Sequence, residues 1–176
     1  MLAAMATPYV HPAALEPDEL LKHCEVNFGR VRGPGGQNRN KVETAVTITH
    51  TPTGIDGFAS ERRSQYENRK NAVRRLRVNL ALKVRVPVHP AGHRPTPLWV
   101  RRRQGEKMSV NPEHVDYPGL LAEALDVIFA RKFDVAGSAG ILGVTMSQLA
   151  KLLRHEKHAM AMVNEGRKDR HLQELK

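Results

Sequence analysis

Cysteine is almost missing from this chain. Cys24 is the sole one in 176 residues, so no intramolecular disulfide can form, as suits a reducing compartment. Aromatic residues make up only 5% of the chain, which argues against a wall of base-stacking rings. No apolar run is long enough to span a membrane. The first arginine is Arg30, and the weakly apolar opening lacks both the basic start of a secretory signal and the arginines of a transit peptide. A cytoplasmic protein is the expectation. Acidic side chains are in short supply: 18 Asp and Glu face 28 Lys and Arg, for a net charge of +10. That excess favours a polyanionic partner, whether RNA, DNA or an acidic membrane. Nine histidines invite a metal reading, but His89 and His93 sit in a Pro/Gly-rich stretch, His155 and His158 in a basic helix, and no cysteine pairs accompany them. Neither a metal site nor a cofactor is expected.

What the chain does have is concentrated at Gly33-Pro34-Gly35-Gly36-Gln37. Glycine lacks a Cβ and lets backbone approach a ligand closely. Pro34 fixes its own φ and biases Gly33 toward extended conformations. The pattern predicts an exposed loop with Gln37 at its apex, since a buried one would strand its backbone polar groups. A tight surface turn is the plain reading. A phosphate-gripping P-loop is excluded because no Gly-Lys-Ser/Thr follows.

The flanking residues predict an α+β unit. Glu16–Lys22 reads as a short helix with Pro17 near its start. Glu25–Arg30 alternates, with Val26 and Phe28 on one face, and Thr44–His50 alternates with Val46 and Ile48 inward and Ala45, Thr47 and Thr49 outward. Thr51-Pro52-Thr53-Gly54 is a turn, and Ile55–Ala59 returns as the partner strand, weakened by Asp56-Gly57. A long helix begins at Ser64, which forms a capping-box pattern with Glu67. Tyr66, Val73, Leu76, Leu80 and Val84 recur at helical spacing and are expected to lie on the sheet. The other face carries Arg62, Arg63, Arg69, Lys70, Arg74, Arg75 and Arg77, a nearly pure cationic face suited to an RNA backbone. Arg30, Arg32, Arg39 and Lys41 add charge around the glycine-rich loop.

Four segments are predicted: a disordered arm over 1–14, the α+β domain over 15–86, a Pro/Arg-rich linker over 87–112, and a helical domain over 113–176. The linker, with Arg101-Arg102-Arg103 and a short strand at Leu98-Trp99-Val100, could reach up to ~85 Å if fully extended. In the last segment Leu121, Ala124, Leu125 and Ile128 form an apolar stripe. Thr145 and Gln148 repeat the capping-box pattern before a helix with Met146, Leu149, Ala150 and Leu153 inward and Ser147, Gln148, Lys151 and Arg154 outward. This resembles a helix-turn-helix in which Lys151 and Arg154 contact nucleic acid, and a purely structural bundle fits equally. A last helix from Glu156 to about Gly166 precedes a basic tail.

The run Arg30 to Asn38, then Lys41 to His50, Pro52-Thr53-Gly54-Ile55, and Arg63-Ser64-Gln65-Tyr66-Glu67-Asn68-Arg69-Lys70 closely resembles the Gly-Gly-Gln (GGQ) hydrolase domain of class I peptide chain release factors and related ribosome-rescue factors. The likeness covers roughly residues 15–85. It implies a peptidyl-tRNA ester hydrolase that acts in the peptidyl-transferase centre of the large ribosomal subunit, with rRNA and peptidyl-tRNA as partners. Gly35, Gly36 and Gln37 are the implied catalytic residues. The Gln37 backbone N–H would stabilise charge in the transition state, its side chain would place water, and the two glycines would permit the approach. The resemblance also raises Gln37 as a substrate for a glutamine methyltransferase. A monomer in solution is expected. No Ser/His/Asp or Cys/His arrangement competes for this role, and Cys24 is expected to be buried rather than nucleophilic.

Arg39 stands where relatives often have a small apolar residue, and Arg62 where an acid is common. No codon-reading domain is visible, which implies codon-independent release from stalled ribosomes. Nor is there the Lys/Arg-rich tail of the rescue hydrolases. The rival readings are a nucleic-acid-binding helix-turn-helix regulator with an inactive GGQ domain, and a hydrolase of free peptidyl-tRNA.

Overall fold

The structure is a computed structural model that describes residues 9–30 and 43–176. The chain divides into two compact units. One is Pro12–Val84, and the other is Arg85–Lys176 together with the N-terminal residues up to His11.

The first unit is α+β. Pro12–Ala14 forms a single 3₁₀ turn, and α1 (Pro17–Leu21) follows with Pro17 at its start and Asp18 and Glu19 in its first turn. Strands β1 (Cys24–Gly29), β2 (Ala45–His50) and β3 (Ile55–Ala59) make an antiparallel sheet in the order β1-β2-β3. The β2–β3 connection is the expected turn at 51–54. Gly54 takes a left-handed φ of +69° and donates to the His50 carbonyl at 2.8 Å. Helix α2 (Gln65–Lys83) starts at Ser64, whose Oγ accepts from the Glu67 N–H at 3.3 Å.

Helix α2 packs across β2 and β3 through Ala72, Val73, Leu76, Leu80 and Ala81, against Val46, Ile48 and Ala59. The approach is close. A Cβ on Gly57 would run into the Ala72 carbonyl oxygen and the Leu76 backbone nitrogen. Gly57, which weakens β3 as a strand, is therefore what lets the helix backbone touch the sheet.

Phe28, on the face it shares with Val26, is 47% exposed, because β1 is the edge strand and lies beyond the strip that α2 covers. Two expectations about faces differ from the structure of this unit. Ala45 was expected outward but is buried, beside Thr44, whose carbonyl Asn68 of α2 engages. Tyr66 was expected on the sheet but is 67% exposed. It shares the phase of buried Val73, seven residues on, but stands in the first turn of the helix, so its place along the axis and not its phase exposes it.

The second unit is built on α4 (Tyr117–Ala130), whose residues 117–128 are all buried. Against it lie α5 (Val135–Leu142) and α6 (Met146–Arg154), and α7 (Lys157–Lys168) packs on α6. The turn between α5 and α6 begins at Gly143 with φ +67° and ends at Thr145, whose Oγ1 accepts from the Gln148 N–H at 3.2 Å. The predicted stripe Leu121, Ala124, Leu125 and Ile128 is buried, as are Leu149, Ala150 and Leu153. Met146, expected inward, stands at the first position of α6 and is 40% exposed.

The 87–112 stretch is not an extended linker. Thr96 caps a helix, α3 (Pro97–Arg102), with Pro97 at its first position, where no N–H is needed. That helix replaces the strand expected at Leu98–Val100. Trp99 is fully buried and donates from Nε1 to the Leu142 carbonyl at 2.9 Å. A small hairpin, β4 (Arg103–Gln104) and β5 (Lys107–Met108), turns at Gly105 and meets α6 through Met108 N–H and Gln148 Oε1, 3.3 Å apart.

Nor is the described part of the arm disordered. Tyr9 donates from its hydroxyl to Asp126 Oδ2 at 2.8 Å and stands edge-on to His93, while His11 and Ala13 are buried. The basic tail is tied down as well: Leu175 exchanges two hydrogen bonds with the Asn164 side chain, and its own side chain is buried.

Candidate active site and nucleic-acid interface

Strand register sets the position of the Gly-rich loop. Gly29, the last residue of β1, faces Ala45, the first of β2. The chain thus leaves and re-enters the sheet at one end, between neighbouring strands. Arg32, Gly33, Pro34, Gly35, Gly36, Gln37, Arg39 and Lys41 lie outside the described residues. What the structure shows is how the two limbs are held.

Arg30 and Glu43 pair across the limbs at 3.4 Å, both exposed. The first turns of α2 grip the returning limb. Gln65 Nε2 donates to the Glu43 carbonyl at 2.8 Å, and Asn68 Nδ2 donates to the Thr44 carbonyl at 2.7 Å. Asn68 also closes the turn before the helix, donating to the Arg62 carbonyl at 2.8 Å and accepting from the Arg62 N–H at 2.9 Å. A fully buried amide with three partners is a rigid clamp, because each lost bond would strand a polar group away from water. Sequence reasoning missed Asn68 and Gln65. They stand inside the motif at 63–70, but nothing local shows that their amides reach residues 43 and 44.

The cationic face of α2 divides. Arg62, Arg63, Arg69 and Lys70 are exposed. Lys70 places its ammonium 4.5 Å from the Tyr66 ring centroid, a cation–π contact. Arg75 is committed elsewhere, donating to the Phe58 carbonyl at 2.7 Å and pairing with Glu61 at 2.9 Å. Burial works against ionisation of Glu61. Backbone N–H groups at Glu61 and Ser60, together with the Arg75 guanidinium, overcome it and hold the carboxyl down at about 2. Arg74 is half-buried. Arg77 is a correction: it is buried, 4% exposed, and donates from Nε to the Ala13 carbonyl at 3.0 Å. The 3₁₀ turn at 12–14 covers that side of the helix, which residue spacing alone does not reveal.

In the helical unit Lys151 and Arg154 are exposed, and Arg154 donates from Nε to the Lys176 carbonyl at 2.7 Å. From residue 113 to 176 acidic and basic side chains are equal in number, so the charge excess lies before this segment. Buried carboxylates anchor the unit. Asp126 accepts from Arg85, Tyr9 and the Val86 N–H, and Glu123 accepts from Thr96 and meets His93 at 3.0 Å. Burial pushes Asp126 up to about 6, against the pull of Arg85 and its other donors. An open cleft of about 590 Å³, lined by His89, Pro90, Ala91, Arg131, Gly137, Gly140 and Ile141, carries no reactive constellation; its Arg131 pairs with Asp134.

Cys24 donates its thiol to the Leu20 carbonyl at 3.2 Å, and burial raises its pKa, the environment of a structural thiol rather than a nucleophile. Among the described residues no group of three or more His, Cys, Asp or Glu side chains is placed to hold a metal ion, and no helix is long and apolar enough to cross a membrane.

The Pro-Thr-Gly turn and the α2 clamp fall within a stretch that matches one known family model. Residues 18–94 match the family model described as RF-1 domain. This chain carries a class I release-factor-like domain.

Among similar proteins, peptide chain release factor PrfB1, chloroplastic, of Arabidopsis thaliana is 52% identical over 56 residues, 32% of this chain and 12% of that protein. Peptide chain release factor 1 of Chlorobaculum tepidum is 46% identical over 77 residues, 43% of this chain and 22% of that protein. Peptide chain release factor 1 of Chloroherpeton thalassium is 57% identical over 51 residues, 29% and 14% respectively. The matched part is thus less than a quarter of these relatives' length. No solved structure matches the chain.

Proposed function

We propose that this protein hydrolyses the ester of peptidyl-tRNA on the ribosome without reading a codon, releasing nascent chains from stalled ribosomes. The observation that carries the reading is the Gly35-Gly36-Gln37 sequence within a release-factor-like domain in which Asn68 and Gln65 clamp the returning limb at residues 43 and 44. Water is the nucleophile. The Gln37 backbone N–H donates to the oxyanion that develops at the ester carbon, and the Gln37 side chain positions water. One preorganised donor of this kind is worth roughly 10²–10³ in rate, and positioning adds to it. Gly35 and Gly36 leave room for the approach. The ribosome and the tRNA ribose supply the proton handling, consistent with the lack of a described nucleophile–base pair in the first unit.

Arg30, Arg32, Arg39, Lys41, Arg62, Arg63, Arg69 and Lys70 form the cationic surround that meets RNA phosphates. Lys151 and Arg154 are a second, weaker contact. The protein works as a monomer wherever ribosomes do, and the Gln37 amide is a candidate substrate for a glutamine methyltransferase.

The deciding experiment is peptide release from purified ribosomes that present a sense codon, a stop codon or no codon in the A site. Rates that agree within a few-fold are the expected result. Release confined to stop codons would overturn codon independence, and equal cleavage of free peptidyl-tRNA would remove the ribosome from the mechanism.

A further inference from the structure

The one exposed aromatic ring on α2 does no work for the fold. Tyr66 is 67% exposed, on the second residue of the helix. Its immediate neighbour Gln65 grips the Glu43 carbonyl, so this turn of the helix is tied to the returning chain at residue 43. Arg69 and Lys70, at i+3 and i+4, share its side of the helix, and Arg62 and Arg63 precede it in the capping turn. Lys70 occupies one ring face at 4.5 Å. Glu67 is the one acid in this first turn, and it lies about 100° round the helix from Tyr66.

We propose that Tyr66 is a nucleobase-stacking residue, taking an unpaired RNA base on its ring while the surrounding arginines hold the phosphates on either side. Three features together point to RNA rather than to a protein partner. A single flat ring on an otherwise cationic surface offers too little apolar area for a protein interface. Bases stack on aromatic faces with little sequence preference, and cations beside the ring neutralise the adjoining phosphates. The ring is also pre-positioned, because Gln65 and the Asn68 clamp fix this turn to the loop's returning limb. The base would therefore be held at the helix turn that grips residues 43 and 44. The inference rests on the proposed function for the identity of the RNA, as an unpaired nucleotide of rRNA or tRNA, and on the geometry for the rest.

The test uses the full chain and its Tyr66→Ala, Tyr66→Phe and Tyr66→Trp variants. Each is titrated with single-stranded oligoadenylate and with an abasic ribose-phosphate oligomer of equal length and charge. The unaltered chain, Phe and Trp forms are expected to prefer the base-bearing oligomer. Tyr66→Ala is expected to lose roughly ten-fold in affinity for it, to bind both oligomers alike, and to keep the same salt slope and melting temperature. On ribosomes the same variant needs a higher concentration for half-maximal release, with the maximal rate little changed. If Tyr66→Ala keeps the preference for bases, or Tyr66→Phe loses as much as Tyr66→Ala, the stacking role is overturned. If no variant, nor the unaltered chain, releases peptide, the function above fails while the oligomer titrations still decide the role of Tyr66.

Discussion

The two units differ in how they hold their arginines. In the helical unit several arginines are paired within the protein: Arg85 meets Asp126, Arg102 meets Asp116, Arg131 meets Asp134, and Arg167 is buried against the Phe133 and Gln173 carbonyls, while Lys132, Lys151 and Lys157 are exposed. In the sheet unit Arg62, Arg63 and Arg69 stand exposed with no side-chain partner among the described residues. A paired guanidinium has its donors filled and its charge offset, so it adds little to binding a polyanion; an unpaired one retains both. The comparison teaches that net charge does not locate an RNA surface. Arg77 and Arg75 carry the same charge as Arg69 and sit on the same helix, yet one is buried and the other is committed to Glu61 and Phe58.

The contrast breaks most sharply at the loop. Gly36→Ala is expected to lower the rate of peptide release by roughly 10²–10³, because a Cβ displaces the neighbouring backbone donor, while ribosome affinity stays within a few-fold. Full release by this variant, measured in single turnover, would place the chemistry elsewhere.

Charge comes next. Replacing Arg62, Arg63 and Arg69 with alanine together is expected to flatten the dependence of ribosome affinity on salt by about one unit of slope per residue. The matched change at Lys151 and Arg154 is expected to shift the slope by less than half as much. Equal shifts from both sets would erase the distinction between the units.

Asn68→Ala tests the clamp. It removes three hydrogen bonds from a buried site and is expected to cost about 1–3 kcal/mol of stability, read by denaturant unfolding. Release is expected to fall by more than affinity does, since the returning limb of the loop is freed. Stability loss with undiminished release would show that the clamp holds the fold and not the loop.

Last comes the buried carboxylate of the helical unit. Its folded pKa, about 6, lies above the ordinary 3.8, so the folded state holds the proton more tightly. The stability this contributes is present in full below about pH 3.8 and is lost as pH rises through about 6. Asp126→Asn, which cannot titrate, is expected to remove that slope, roughly 3 kcal/mol at most. The difference in melting temperature between the two proteins across pH 4 to 7 measures it. A difference that does not vary with pH would mean that Asp126 stays charged throughout.

Local chemistry was legible wherever neighbours in sequence were also neighbours in space. Ser64 and Thr145 could be read as helix caps, 51–54 as a turn, and Val46 and Ile48 as core, because each depends on a few adjacent residues. The order of motifs around Gly35-Gly36-Gln37 was enough by itself to indicate the release-factor-like domain. Only tertiary structure decided the rest. Proline spacing suggested a linker at 87–112, but Trp99 found the Leu142 carbonyl and Thr96 found Glu123, contacts that span 43 and 27 positions. Helical periodicity put Tyr66 and Arg77 on definite sides of α2 without saying what covers either side. Solvent covers Tyr66 and the 12–14 turn covers Arg77, because burial depends on which distant segment packs there and not on the residue's own phase.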